Sequence, residues 1–330
     1  MEALKTEIIT WPVAGSFKIS RSALTEIPVV VVTITKNGKI GRGECRPYAR
    51  YNENPTSVCE QIKSLEAELS SLNLENLQTR LGAGAARNAV DCALWDLEAQ
   101  LQNTSVSKLL KLPAPKARDT AFTLSLDTPE NMANAAKAAL QYNLLKIKIG
   151  SNDGLKSALA VMEQRPDAQL IIDANEALDE DAMKKFQTAL TSKPVALIEQ
   201  PMPATQKLPF ATANRRPVIC ADEALHTRND LQRLWHEGYR AVNIKLDKAG
   251  GLTEALALTQ TAKEMGFIIM LGCMVGSSLA MAPALLLESY ADIIDLDGAA
   301  LLARDHSDGV SYKDGKIWPA PNHFWGHSRA

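Results

Sequence analysis

Charge of one sign is the first thing this sequence lacks. Its 36 Lys and Arg stand against 38 Asp and Glu, a net −2 over 330 residues. No basic field exists to attract nucleic acid or anionic lipid, so neither is an expected partner. Cysteine is sparse: Cys45, Cys59, Cys92, Cys220 and Cys273 are scattered, with no CxxC spacing. An odd, dispersed set in a long chain excludes a disulfide framework and a thiolate zinc site. No stretch approaches the roughly 18 apolar residues of a membrane helix. The opening MEALKTEIITWP has no basic segment followed by a long apolar run, so no secretory leader is expected, and a reducing cytoplasm is the expected setting. Low-complexity segments are missing too; 46% hydrophobic and 22% charged residues suit a large folded core. At roughly 100–200 residues per domain, the length suggests two domains.

What is present falls into two rhythms. In the first 115 residues, VVVVTI (29–34) is a β-branched run followed by KNGK and then IGRGE, which reads as a hairpin turning at Asn-Gly. Residues 55–70 and 85–102 have helical spacing. In the second, Ala86, Ala89, Val90, Ala93, Leu94 and Leu97 share a face, and Asp91 and Asp96 are expected on a polar one. This portion reads as a small α+β unit. LKLPAPKARD (110–119), with two prolines, is the expected linker. After it come eight short apolar runs: 120–126, 144–150, 168–175, 195–201, 217–223, 241–247, 267–273 and 291–298. Helical stretches such as PENMANAAKAALQY and LTEALALTQTAKEMG lie between them. Apolar strands alternating with helices mean parallel βαβ units, and eight of them mean a (β/α)8-type barrel. A doubly wound sheet is the alternative.

These strands end in charge. Lys146 and Lys148, then Asp173, Glu199, Asp222 and Lys245, recur at intervals of 23–26 residues, and Asp295 and Asp297 close the series. In a barrel all strand C-termini meet on one face, where active sites lie. One Asp after a strand can be a simple helix cap, but two lysines on one face of a buried strand need compensating anions. Asp173, Glu199 and Asp222 supply them. Three hard oxygen donors also suit Mg²⁺, and no histidine joins them. His226 reads as a loop residue, with a substrate contact as the alternative; His236, His306, His323 and His327 read as structural or surface residues. A Mg²⁺ ion can stabilise the two charges of an enediolate formed by removing a proton next to a carboxylate. A lysine takes that proton only when neutral, and a neighbouring cation such as Lys146 beside Lys148 lowers its pKa. Lys245 lies four units around the ring from Lys148. Bases on opposite faces of one carbon invert it, which is the logic of a racemase or epimerase. Cys273 reads as a wall residue, and Asp247 and Lys248 as supports of their loop.

The set GRGE (41–44), AARNAVDCALWDL (85–97), KIK (146–148), DAN (173–175), EQP (199–201), ADE (221–223), NIKLDKAGG (243–251) and GCM (272–274) resembles the enolase superfamily over essentially the whole chain. The lysine pair is similar to the muconate-lactonizing-enzyme subgroup; a His–Asp dyad, as in mandelate racemase, is absent. DLD (295–297) resembles the paired aspartates of the dipeptide epimerases, and GECRPYARY (43–51) their lid. The resemblance implies a modified TIM barrel, (β/α)7β, over 116–304, with an α+β capping domain over 1–115 completed by about 305–330. It implies Mg²⁺ on Asp173, Glu199 and Asp222, with Lys148 and Lys245 as acid/bases. Lys146 would hold the substrate carboxylate, Asp295 and Asp297 the α-ammonium group, Thr123 would contact the substrate, and Met274 would line the pocket. Arg21 sits where the family places a reader of a glutamate side chain, with Arg46 and Arg50 as competitors. The implied reaction interconverts L-Ala-L-Glu and L-Ala-D-Glu, in peptidoglycan peptide recycling. The alternatives on the same parts are o-succinylbenzoate synthase, N-acylamino acid racemase, muconate cycloisomerase and a non-catalytic dipeptide-binding barrel. A homo-oligomer is a further expectation from the family.

Overall fold

A computed structural model describes residues 2–19, 22–150, 154–208 and 216–329. Strands β1 (Ala3–Ile19), β2 (Ser22–Lys36) and β3 (Lys39–Cys45) form an antiparallel sheet with β2 in the middle. The β2–β3 turn is the expected one: Asn37 and Gly38 both have positive φ, 51° and 75°, as a two-residue type I′ hairpin turn requires. The valine run is continuous because both faces of β2 are covered. Val30, Val32 and Ile34 pack with the helices α1 (Pro55–Lys63), α2 (Leu74–Arg80) and α3 (Ala85–Leu101). Ile27 and Val29 pack with Val13 and Leu302 on the other face. Gly41 and Gly43 let β3 lie directly against α3; a Cβ at either would strike the backbone at Ala93 or Ala89.

Eight parallel strands follow in sequential order: Phe122–Leu124, Leu144–Lys148, Gln169–Asp173, Val195–Glu199, Val218–Ala221, Ala241–Ile244, Ile268–Gly272 and Ile293–Asp295. The Ala121 N–H donates to Ile294 O at 2.8 Å, bringing the first strand against the eighth. The period of two assigns each strand residue to one of two faces. Leu145, Ile147, Leu170, Ile172, Ile198, Ile219, Val242, Ile244, Ile269 and Ile294 join the outer core under the helices. Ala121, Ile171, Leu197, Cys220, Ala241 and Met270 fill the barrel interior. Two residues further along the interior parity stand Thr123, Asp173, Glu199 and Asp222, and the same parity carries Lys146, Lys148, Asn243, Lys245, Asp295 and Asp297. The apolar plug is therefore the floor of a charged layer at the strand C-termini.

Strand β1 is an edge strand with few buried residues and a register shift between Pro12 and Phe17. Two sequence expectations change, the extent of one helix and the free linker. The helix expected over 55–70 ends at Lys63, with a separate 3₁₀ turn at Glu66–Glu68. The fourth strand-to-strand connection has no helix among its described residues. Arg118–Asp119 belong to a strand pairing with Lys316–Trp318 rather than to a free linker. No helix among the described residues is long and apolar enough to cross a membrane.

Asp91 and Asp96 require a fuller correction, since both are completely buried. Asp91 accepts the Thr253 N–H at 3.0 Å and Gln78 Nε2–H at 3.0 Å. It thus caps the helix Leu252–Glu264, whose own N-cap, Gly251, has no side chain to do so. Asp96 accepts the backbone N–H groups of Arg42 and Gly326 at 2.9 and 2.8 Å and pairs with Arg329. These acids are clamps between distant segments, a role that helical periodicity does not reveal.

Candidate active site

The charged layer is a continuous ion network. Lys146 Nζ lies 2.8 Å from Asp295 Oδ2, 2.7 Å from Glu199 Oε2 and 3.1 Å from Asp173 Oδ2. Lys148 Nζ is 2.5 Å from Asp173 Oδ2, and Lys245 Nζ is 2.8 Å from Asp222 Oδ2. Lys248, fully buried, holds the other Asp222 oxygen at 2.6 Å. Asn243 Nδ2–H donates to Glu199 Oε1 at 2.7 Å. Asp297 Oδ2 accepts the Thr123 N–H at 2.7 Å. Gln200 has φ 32°, and its Oε1 accepts the N–H groups of Asp222 and Ala224, each at 3.0 Å. It fixes the loop that presents Asp222, a role the EQP segment did not suggest by spacing.

The titration behaviour follows from this crowding. Burial would lower the Lys146 pKa, but Asp295, Glu199 and Asp173 hold it well above the usual lysine range. Burial likewise opposes charge on Lys245, and Asp222 outweighs it, raising that pKa too. At both groups carboxylates at contact distance outweigh the cost of burial. Among the acids, burial and Asp173 push Glu199 up to about 8. Burial and Asp295 push Asp297 up to about 6. Against the cost of burial, Lys148 and Lys146 pull Asp173 down to about 2.

Six buried acids, Asp173, Glu199, Asp222, Glu223, Asp295 and Asp297, face four buried lysines, 146, 148, 245 and 248. The excess is two negative charges, and repulsion among the acids adds to burial in raising the pKa values of Glu199 and Asp297. Among the described residues no three metal-ligating side chains converge as a ready cage; the lysine ammonium groups stand between the carboxylates. The donor chemistry and the charge deficit nevertheless fit a hard divalent cation. Asp173 and Glu199 are register partners on adjacent strands, and Asp222 follows the next strand.

Above the network lies a cleft open to solvent, with about 630 Å³ of space between its walls, that solvent included. Lys148, Lys245, Asp222 and Met274 line it, as do Asn175, Glu223, Cys273 and Val275. Its roof comes from the first sheet and the segment after it: Leu24, Ile27, Arg46, Tyr48 and Tyr51. Lys146, Asp173, Glu199, Asp295, Asp297 and Thr123 are absent from this lining and lie in the buried layer. Thr123 engages Asp297 there. His226 packs edge-on against Tyr51, with ring centroids 4.8 Å apart, and does not line the cleft. Arg50 does not line it either; its Nε–H and Nη2–H donate to the two Glu176 oxygens, each at 2.9 Å. Arg21 lies outside the described residues. The segment GECRPYARY signalled a lid, but its two tyrosines had no spacing that marked them as wall residues.

Two stretches of the chain match known families. Residues 3–111 match the family described as mandelate racemase / muconate lactonizing enzyme, N-terminal domain, and residues 130–318 match enolase C-terminal domain-like. The chain belongs to the enolase superfamily. It is 41% identical over 320 residues to the L-Ala-D/L-Glu epimerase of Escherichia coli, covering 96% of this chain and 99% of that one. It is 42% identical over 301 residues to the N-acetyl-D-glutamate racemase of Pseudoalteromonas sp, covering 90% and 95%. An enolase family member from Agrobacterium tumefaciens with homology to dipeptide epimerases superposes with TM-score 0.95 at 41% identity, over 99% of this chain and 100% of that one. That crystal structure holds sodium and L-Ala-L-Glu. A dipeptide epimerase from Methylococcus capsulatus, complexed with Mg and L-Arg-D-Lys, superposes with TM-score 0.85 at 26% identity, over 97% and 98%. These superfamily relatives are named as epimerases and racemases, which are isomerases.

Proposed function

We propose that this protein is a Mg²⁺-dependent dipeptide epimerase that inverts the α-carbon of the second residue, with L-Ala-L-Glu to L-Ala-D-Glu as the preferred reaction. The observation carrying this reading is the pair of lysines, Lys148 on the second barrel strand and Lys245 just after the sixth, both lining one cleft. A binding barrel has no use for opposed bases. Lys148 removes or returns the α-proton on one face and Lys245 on the other, through an enediolate of the substrate. Each must be neutral to act as base and charged to act as acid.

Asp173, Glu199 and Asp222 would hold Mg²⁺, which supplies positive charge to the substrate carboxylate. Lys146, between Glu199 and Asp295, orients that carboxylate. Asp295 and Asp297 receive the α-ammonium group, Thr123 fixes Asp297, and Met274 walls the far side. The acidic pair favours a free amino terminus, because an ammonium group gives buried carboxylates charge-assisted hydrogen bonds that a neutral acyl amide does not. The capping unit over 1–115 and the barrel over 116–304 divide the labour, the first supplying the roof and the second the chemistry. A cytoplasmic setting suits the five free thiols.

A second reading has its own support. The 42% identity to an N-acetyl-D-glutamate racemase points to the same glutamyl carbon with an acyl group in place of the alanyl residue. Exchange in D₂O separates the two. The protein is incubated with Mg²⁺ and either L-Ala-L-Xaa dipeptides or N-acetyl-L-glutamate, and mass spectrometry follows the gain of one deuterium. Exchange of L-Ala-L-Glu that EDTA abolishes supports the epimerase. Exchange confined to N-acetyl-glutamate replaces it with the racemase, and exchange of neither refutes both.

A further inference from the structure

The three carboxylates offered to a metal ion divide their oxygens in the same way. Each has one oxygen on a fixed donor and the other toward the lysines of the charged layer. Asp173 Oδ1 accepts the Asn175 N–H at 2.9 Å. Glu199 Oε1 accepts the Asn243 Nδ2–H at 2.7 Å. Asp222 Oδ1 accepts from Lys248 Nζ at 2.6 Å. The other oxygens, Asp173 Oδ2, Glu199 Oε2 and Asp222 Oδ2, contact Lys146, Lys148 and Lys245. The fixed donors are built into the fold. Lys248 is fully buried, and its ammonium group also donates to the backbone carbonyls of Asp222 and, at 3.1 Å, Asn243. All three of its N–H groups therefore have an acceptor. Asn243 is fully buried as well, and Gly272 on the next strand leaves room for its amide, which a Cβ there would strike. Neither side chain lines the cleft.

We propose that Lys248 and Asn243 are positioning residues that hold Asp222 and Glu199 to one metal-facing oxygen each, so that the site takes a small cation such as Mg²⁺ in preference to a large one such as Ca²⁺. The inference rests on the proposed metal-dependent reading and adds to it the size of the ion. Mg²⁺ demands a compact octahedral set and keeps several of its waters, whereas Ca²⁺ takes roughly six to eight oxygens and readily accepts both oxygens of one carboxylate. With the Asn175 N–H on Asp173, the three acids offer single oxygens, and none is left to bind through two. Donors beyond the ligands themselves fix ligand orientation at metal sites. Here that task falls to a strand amide and to a lysine three residues past the acid/base Lys245.

The test compares two ions of equal charge and different size. The full chain is stripped of divalent ions with EDTA, dialysed, and titrated in a calorimeter with Mg²⁺ alone and with Ca²⁺ alone. Wild type should bind Mg²⁺ the more tightly. In Lys248→Met, Asp222 Oδ1 is released, and the ratio of the Ca²⁺ to the Mg²⁺ dissociation constant should fall by about 10-fold or more, the scale on which such outer partners act on metal affinity. The lost positive charge favours both ions equally, so the ratio isolates the arrangement of oxygens. Asn243→Ala releases Glu199 Oε1 with no change of charge and should lower the same ratio; it carries the comparison should Lys248→Met not fold. A merely structural role would weaken both ions in proportion and leave the ratio unchanged, which overturns the inference while the Mg²⁺ titration leaves the metal-dependent reading standing. So would a wild-type protein that binds Ca²⁺ as tightly as Mg²⁺. Wild-type protein that binds neither ion overturns the metal-dependent reading and this inference together.

Discussion

Replacing Asp297 by Asn separates what the acidic pair does for function from what it does to the fold. Asp297 is buried, and its Oδ2 accepts the Thr123 N–H at 2.7 Å. Asparagine has the same shape and keeps an oxygen for that bond. What it removes is the charge. Burial and the neighbouring Asp295 push the Asp297 pKa from 3.8 up to about 6. The folded pKa therefore lies above the unfolded one. Below about pH 4 both states are protonated and no penalty exists. As pH rises from about 4 to 6 the unfolded state loses its proton first, and the native state is penalised. Above about pH 6 the penalty is complete, up to about 3 kcal/mol at 1.36 kcal/mol per pK unit. Asp297→Asn escapes it. The variant should be more stable than wild type at pH 8 by up to that amount, and equal to it near pH 4, by urea denaturation at both pH values.

Activity should move the other way. The substrate ammonium loses a charged partner, worth about 1.5–3 kcal/mol, so kcat/KM for L-Ala-L-Glu should drop by roughly 10- to 100-fold. Wild-type kcat/KM for the dipeptide should also decline as pH falls through about 6, because the protonated acid holds the ammonium group poorly. That limb should vanish in the variant. Exchange of N-acetyl-L-glutamate, which has no ammonium group, provides the control. Retention of full dipeptide turnover by Asp297→Asn would sink the assignment of the acidic pair, and a large loss of stability at pH 8 would sink the electrostatic account.

Three other perturbations test separate parts of the structure. Lys148→Ala and Lys245→Ala should each abolish epimerisation while leaving dipeptide binding, and each should still exchange deuterium into one diastereomer only; unchanged epimerisation in either refutes the two-base scheme. Asp91→Ala removes the cap from the Leu252–Glu264 helix and should cost about 2 kcal/mol in denaturant unfolding, at the upper end of single caps, whereas Asp91→Asn keeps the acceptor and should cost under about 1 kcal/mol; equal losses would mean that the charge, not the cap, matters. Glu44 is fully buried against Ser277, and burial pushes its pKa up to about 7 from 4.5, so wild-type stability should fall as pH rises between those values by up to about 3 kcal/mol, a slope that Glu44→Gln should flatten in pH-dependent thermal unfolding.

Much of the barrel was legible because a strand writes its two faces at a period of two. The alternation in Leu144–Lys148, apolar outward and lysine inward, is visible in five letters, and the neighbouring strands repeat it with acids. Their spacing assigned all these residues to one mouth before any contact was known. Asp91 and Asp96 were not legible, because a buried acid and a solvated one look alike on a helix. Only the backbone N–H groups of Thr253, Arg42 and Gly326, far away in sequence, distinguish them. The same limit applies to Arg46 and Arg50. They share a loop and a charge, and what separates them is Glu176, whose carboxylate engages one and leaves the other against the cleft.

The roof of the cleft and the loop carrying Lys245 are held in register by one residue that does not itself line the cleft. Asp247 lies two positions after Lys245 and accepts both the Arg46 N–H and the Asn88 Nδ2–H, at 2.9 and 3.0 Å. Its oxygen therefore joins the end of β3, the first turn of α3 and the loop carrying Lys245. One helical turn before Asp91 on α3, Arg87 donates to the carbonyls of Ala249 and Gly250 at 2.7 and 3.0 Å, gripping the far end of that loop. Arg87, Asn88 and Asp91 recur on α3 at intervals that place them along one stripe, so a single rigid helix holds the whole NIKLDKAGG segment. A cap that shifted along the barrel would have to break these bonds together. The distance from the roof arginine to the sixth-strand lysine is thus set by secondary structure rather than by mobile loops, which is what stereospecific proton transfer at one carbon requires.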